Sequence, residues 1–129
     1  MACSFTRSAR WSTRKAPVKF RRFLPGGLAG VWATANTRSD IFDALQRRET
    51  FGTSGSRMRI RLFGGNLPAG IGQQDNPVEL AYQHGVPMGS DLASTDAPRF
   101  WVWAAQDPAG PPLDRIQVVK GWVENGDSS

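Results

Sequence analysis

Few side chains in this sequence could hold a catalytic metal ion. The only histidine, His84, lies in a segment rich in Gly and Pro. The carboxylates nearest to it in sequence are Glu79 and Asp91, and the only cysteine is the distant Cys3. A catalytic metal is usually held by about three protein ligands, with one position left open to water. We therefore expect His84 to be an exposed loop histidine. We expect no metal-binding, catalytic or cofactor-binding residue in this chain.

Nucleophilic chemistry has equally little support. His84 and Asp91 could form a triad with a serine on paper, but the G-x-S-x-G pattern of a nucleophile elbow is missing, and Gly52-Thr53-Ser54-Gly55 has the wrong spacing. The glycine pairs 26–27 and 64–65 lack the spacing and the lysine of a phosphate-binding loop. The sequence thus favours a chain that is not an enzyme by itself.

Three tryptophans suggest a binding function instead. Trp101, Trp103 and Trp122 could form a platform for a sugar, and a carbohydrate-binding β module is therefore one alternative. Aromatic side chains at alternating strand positions more often belong to a core or an interface.

The positive charge is concentrated at one end of the chain. The net charge is +5, but residues 1–38 contain eight Arg or Lys and no acid. In residues 39–129 the remaining eight basic residues face eleven acids, so this part has a net charge of −3. A small basic nucleic-acid-binding protein is the second alternative. The acidic balance of the larger part argues against it.

Residues 1–24 show no sustained period of either helix or strand. They could be a transit peptide, although Pro17 interrupts the amphipathic helix that such a peptide needs. They could also be a nucleic-acid-binding arm, with Arg21 and Arg22 on phosphates and Trp11 stacked on a base. The abrupt change of composition after this segment favours the third interpretation, a basic disordered tail.

The first regular elements are predicted after this tail. Residues 28–33 form a short apolar run typical of a buried strand. Thr37 precedes Asp40 by three residues, which is a weak capping box, and it is followed by a helix over about 38–48. Ile41, Phe42 and Leu45 lie on one face of this helix.

The later segments predict strands. Residues 57–63 alternate, with Met58, Ile60 and Leu62 on one face and Arg57, Arg59 and Arg61 on a face that we expect to be solvated. Residues 64–97 read as a long connection with at most a short element around 78–82. Residues 99–105 are apolar on both faces, which is typical of a strand between layers, and we expect them to pair as a hairpin with residues 115–123.

Together these elements predict an α+β chain. A short strand and one helix lead into a β-rich, sandwich-like C-terminal portion over about 57–123, in an incomplete domain. An uncovered apolar strand edge would favour self-association. The sequence has no apolar run of about 18 residues, so we expect no membrane-spanning helix.

Three stretches resemble a known family when they are taken in order and spacing: Pro25 to Gly65, Gly85 to Leu92, and Ala97 to Gly126. They are similar to the C-terminal region of the bacterial domain-of-unknown-function family 3604. This sequence has Gly52 where the family pattern leads us to expect Ala, and Ser90 where we expect Gly.

The resemblance implies a parent related to the polymerase-and-histidinol-phosphatase superfamily of metal-dependent hydrolases. In such proteins the divalent metal is expected on His and Asp residues of an α/β barrel, upstream of the stretch matched here. The segment Arg47 to Gly55 resembles the exit from that barrel. Residues 25–129 would then be a non-catalytic C-terminal fragment. Residues 1–24 do not resemble the family, which suggests a truncated or frameshifted product.

Overall fold

A computed structural model of the chain describes residues 2–7, 26–93, 97–124 and 127–128. They form a mixed α+β structure with two α-helices and small antiparallel sheets, which confirms the predicted fold class. The elements in chain order are β1 (Ala2–Arg7), β2 (Leu28–Ala33), α1 (Arg38–Gln46), β3 (Thr50–Thr53), β4 (Arg59–Gly65), a 3₁₀ turn (Ile71–Gln73), α2 (Pro77–His84), β5 (Gly85–Pro87), β6 (Arg99–Ala105), β7 (Val123–Glu124) and β8 (Asp127–Ser128). No helix in this part of the chain is long and apolar enough to cross a membrane.

The first sheet has the order β1-β2-β3, with both strand pairs antiparallel. The predicted strand at 28–33 is confirmed as β2. The prediction of a disordered tail over residues 1–24 does not hold for residues 2–7, which form β1. Backbone pairing along β2 does not require an apolar period, because N–H and C=O groups are common to all non-proline residues. Residue 1 and residues 8–24 lie outside the described residues, so for them the tail stays a prediction.

Helix α1 begins as predicted and ends two residues early. The Thr37 Oγ1 atom accepts a hydrogen bond from the backbone N–H of Asp40 at 3.2 Å, as the capping pattern indicates. The helix ends at Gln46 because Arg48 adopts a φ of 60°, a left-handed conformation that commonly terminates helices.

The predicted apolar face of α1 is only partly buried. Ala44 is fully buried against Val31 of β2, and Ile41 packs beside them. Phe42 and Leu45 are 57% and 47% exposed. The helix therefore contacts the first sheet through its smallest apolar side chain, which allows a close approach of backbone to backbone.

The second sheet has the order β5-β4-β6, and its buried face is the opposite of the predicted one. In β4, Arg61 is 4% exposed whereas Ile60 is 38% exposed. The prediction that Arg61 lies on a solvated face is therefore wrong; Arg57 and Arg59 are exposed as expected. Helix α2 covers the face of Arg61 and Phe63, and periodicity within β4 cannot show on which side a covering helix packs.

The described part of the segment 64–97 contains more regular structure than predicted. The short element expected around 78–82 is the full helix α2, which has a proline at its first turn. Its Ala81 is completely buried with Phe63, Leu67 and Ile71 in a small core. That core anchors α2 to β4.

The predicted hairpin between 99–105 and 115–123 is wrong. Strand β6 pairs with β4 instead, with Arg61 opposite Trp103 and Phe63 opposite Trp101. Residues 111–122 form no helix or strand, and Val119 is 91% exposed. A strand-like pattern does not show which strand it will pair with, and among the described residues the outer edge of β6 has no partner strand. The opposite face of β6 is also less covered than expected, since Phe100 is 59% exposed.

Replacing Gly85 by Ala should destabilise the fold. A Cβ atom at this position would lie 2.6 Å from the backbone oxygen of Gly64, which the β4–β5 pairing holds in place. We expect Gly85→Ala to cost about 1–3 kcal/mol, the usual range for overpacking. Gly26→Ala is the matched control, because no atom lies within 4 Å of its added Cβ. Equal thermal midpoints of the two variants would contradict the close approach.

Candidate functional site

The two sheets meet at Trp32, near the end of β2. Its indole N–H donates a hydrogen bond to the backbone oxygen of Ile60 at 2.9 Å. Its ring centroid lies 6.2 Å from that of Trp103, in an edge-on arrangement at 68°. Trp32 is only 7% exposed. It therefore joins β2 to both β4 and β6, and it forms the base of a cleft.

The guanidinium of Arg61 lies over the ring of Trp32, with its Cζ atom 3.8 Å from the ring centroid. An arginine can be buried on an aromatic face because the guanidinium is planar and weakly hydrated, and the ring quadrupole attracts its charge. The buried position of Arg61 is thus explained by the aromatic neighbour from the other sheet.

A buried carboxylate lies close to this pair. Glu49 is 3% exposed, and both of its carboxylate oxygens lie 3.3 Å from the hydroxyl oxygen of Tyr82, which can donate to either. The Arg47 guanidinium lies 3.6 Å from the same carboxylate. Burial raises the pKa of Tyr82 above its ordinary value of 10.0, and the negative charge of Glu49 adds to the rise. Tyr82 is therefore a protonated hydrogen-bond donor at neutral pH.

Trp32, Arg61 and Tyr82 line an open cleft of about 650 Å³ between α2 and the sheets. The side chains around it are Trp32, Arg61, Asp75, Asn76, Pro77, Val78, Glu79, Tyr82, Gln83 and Trp103. The sheets supply an aromatic floor, and α2 with the two residues before it supplies a wall with polar groups. A smaller cavity of about 260 Å³ shares Asp75, Asn76, Glu79 and Gln83 with this cleft. Aromatic surface with a few polar groups is typical of ligand sites.

Comparison with known families supports the resemblance seen in the sequence. The model of a family described as a protein of unknown function (DUF3604) matches residues 3–129. The chain belongs to this family. The match includes residues 3–24, so the prediction that this segment differs from the family is wrong. Comparisons of this DUF3604 chain with curated proteins and with solved structures gave no significant match.

The structure does not bring His84 together with the carboxylates considered for a metal. His84 is exposed, at the end of α2 rather than in a loop. Glu79 lines the cleft, whereas the Asp91 side chain is fully exposed and lies 3.9 Å from Arg48. Within the described residues, no group of three or more His, Cys, Asp or Glu could hold a metal ion. The side chain of Cys3 lies outside the described set.

The three tryptophans proposed as a platform are separated. Trp101 stacks on Phe63 at 5.8 Å with an interplanar angle of 23°, as part of the packing around α2. Trp122 is 55% exposed on the irregular segment, and it is not among the residues that line the cleft. Of the three, only Trp103 lines the cleft, where it is joined by Trp32. The sequence did not single out Trp32, because its apolar run is typical of any buried strand. Trp11, Arg21 and Arg22 lie outside the described residues.

The ionisation of Tyr82 provides a test of this site. Tyr82 is the only tyrosine in the chain, so its ionisation can be followed by tyrosinate absorbance. We expect a midpoint above 10.0, and a lower midpoint in Glu49→Gln, because the variant removes a negative charge but leaves the burial. The unfolded chain loses this proton at lower pH than the folded chain. The stability contribution is therefore complete below pH 10 and is lost as the pH rises through the raised pKa.

A midpoint that is unchanged in Glu49→Gln would contradict the pairing of the two side chains. Glu79→Gln is the matched control, because Glu79 is exposed and does not contribute to the pKa shift of Tyr82.

Proposed function

We propose that this chain is a non-catalytic part of a family of metal-dependent hydrolases and that it contributes a ligand-binding cleft. The cleft lined by Trp32, Trp103 and α2 is the observation that carries this proposal. The resemblance to the polymerase-and-histidinol-phosphatase superfamily supports the hydrolase part of it. In that arrangement the divalent metal and the reacting groups belong to the barrel, and this chain supplies binding surface.

The groups around the cleft are suited to binding rather than to proton transfer. Tyr82 remains protonated at neutral pH and donates to Glu49, so it is engaged as a structural donor. Arg61 is held on the ring of Trp32. The accessible polar groups, on Asp75, Asn76, Glu79 and Gln83, surround an aromatic surface. Such sites orient a ligand through a few polar contacts and obtain much of their affinity from apolar burial.

A carbohydrate-binding role is the second candidate. It is supported by Trp103 in the cleft, and not by the platform of three tryptophans that the sequence suggests. The nucleic-acid alternative depends on the basic residues at 1–38. Most of these lie outside the described residues, so this alternative stays a prediction.

Metal and turnover assays test the non-catalytic proposal. The purified chain is dialysed against zinc, manganese or magnesium, and the bound metal is measured by mass spectrometry. The same samples are assayed on phosphate monoesters and diesters. We expect far less than one metal ion per chain and no turnover above the buffer blank, because catalytic ions need several convergent ligands. Stoichiometric metal with turnover that is lost in His84→Ala would overturn the proposal.

A further inference from the structure

We infer that the ligand of the cleft is a neutral sugar chain, with Trp103 as the stacking surface and α2 as the hydrogen-bonding wall. This inference rests on the proposed function only in that it uses the same cleft. It goes further by specifying the chemical class of the ligand and the residue that contacts its ring.

The aromatic floor offers one accessible ring. Trp32 is 7% exposed and carries Arg61 on its ring, whereas Trp103 is 38% exposed. The two rings meet edge-on, which leaves Trp103 as the more accessible surface at the base of the cleft. A pyranose ring has a face of C–H groups with partial positive charge, which suits the negative face of an indole.

The opposite wall carries donors and acceptors on one side of α2. Asn76, Glu79 and Gln83 are spaced by three and four residues, so they lie along one helical face. Amide side chains donate and accept, and carboxylates accept. Vicinal hydroxyl groups of a sugar also do both. The exposure of these side chains leaves them accessible to a ligand.

The balance of charges disfavours ions of either sign. Two carboxylates, Asp75 and Glu79, line the cleft and would repel a phosphate or a uronate. Both carboxylates are exposed, so solvent screens them and an ion pair with an ammonium group would add little affinity. The buried guanidinium of Arg61 opposes a positive charge above the floor. A neutral polyhydroxylated ligand needs no ion pair and can form hydrogen bonds with the exposed polar side chains of the α2 wall.

The shape of the site favours an oligosaccharide over a single sugar ring. The cleft of about 650 Å³ and the cavity of about 260 Å³ share four side chains of the polar wall. A linear oligosaccharide could stack one ring on Trp103 and extend another along the wall toward the smaller cavity. Both spaces are open to solvent. A site that binds the middle of an oligosaccharide, rather than its end, must be open in this way.

The test is isothermal titration calorimetry of the full chain with three sets of oligosaccharides. Neutral cello-, xylo- and malto-oligosaccharides form the first set, oligogalacturonates the second and glucosamine oligomers the third. We expect binding in the neutral set only. Trp103→Ala should weaken it by a factor on the order of ten or more, because stacking area is lost at the centre of the site.

Two further variants make the result specific. Gln83→Ala should also weaken binding, and its thermal midpoint should be unchanged because Gln83 is exposed. It therefore tests the site even if Trp103→Ala does not fold. Trp122→Ala is the matched control, since Trp122 is an exposed tryptophan that does not line the cleft, and its affinity should equal that of the unmodified chain.

The outcomes separate this inference from the proposed function. Preferred binding of a charged set would overturn the neutral-ligand inference and leave a ligand-binding cleft. Binding that is retained in both Trp103→Ala and Gln83→Ala would place the sugar elsewhere and overturn the inference. No binding in any set would also overturn it, whereas the metal and turnover assays decide independently whether the chain is non-catalytic.

Discussion

The contact between Trp32 and Arg61 is the interaction on which the rest of this structure depends. The indole hydrogen bond to Ile60 and the stacked guanidinium join β2 to β4 at one point. The contact provides an aromatic surface for a charge that would otherwise be costly to bury. With Arg61 directed inward, the opposite face of β4 becomes the more exposed one. One side-chain pair thus sets which face of the second sheet is covered.

The packing and hydrogen bonding of Tyr82 hold the wall of the cleft in place. Tyr82 packs edge-on against Phe63, with ring centroids 4.9 Å apart, and its hydroxyl reaches Glu49. Glu49 belongs to the short segment between α1 and β3, so this hydrogen bond links the first sheet to α2. Helix α2, which carries the polar wall of the cleft, is therefore held beside the aromatic floor by the cluster of Glu49 and Tyr82. Changes in this cluster would affect both stability and any ligand bound above it.

Several apolar side chains are left uncovered by this arrangement. Phe42 on α1, Phe100 on β6 and Val119 on the irregular segment are all more than half exposed. Large exposed apolar patches often mark interaction surfaces. Self-association, which the sequence predicts from an uncovered strand edge, stays a prediction. β6 is nevertheless an edge strand of its sheet, with β4 as its partner on one side.

The sequence by itself determined the class of the fold, the family resemblance, the strand at 28–33 and the start of α1. Each of these depends on local signals: apolar runs, a capping threonine, or the order of familiar segments. Tertiary structure alone decided the orientation of β4, the partner of β6, the pairing of residues 2–7 and the position of the cleft. Alternation in RMRIRLF defines two faces but not which one a helix will cover, and a strand pattern at 115–123 does not show with which strand, if any, it will pair. Trp32 became a site residue only when distant segments met around it, because cleft walls are formed by residues far apart in the chain.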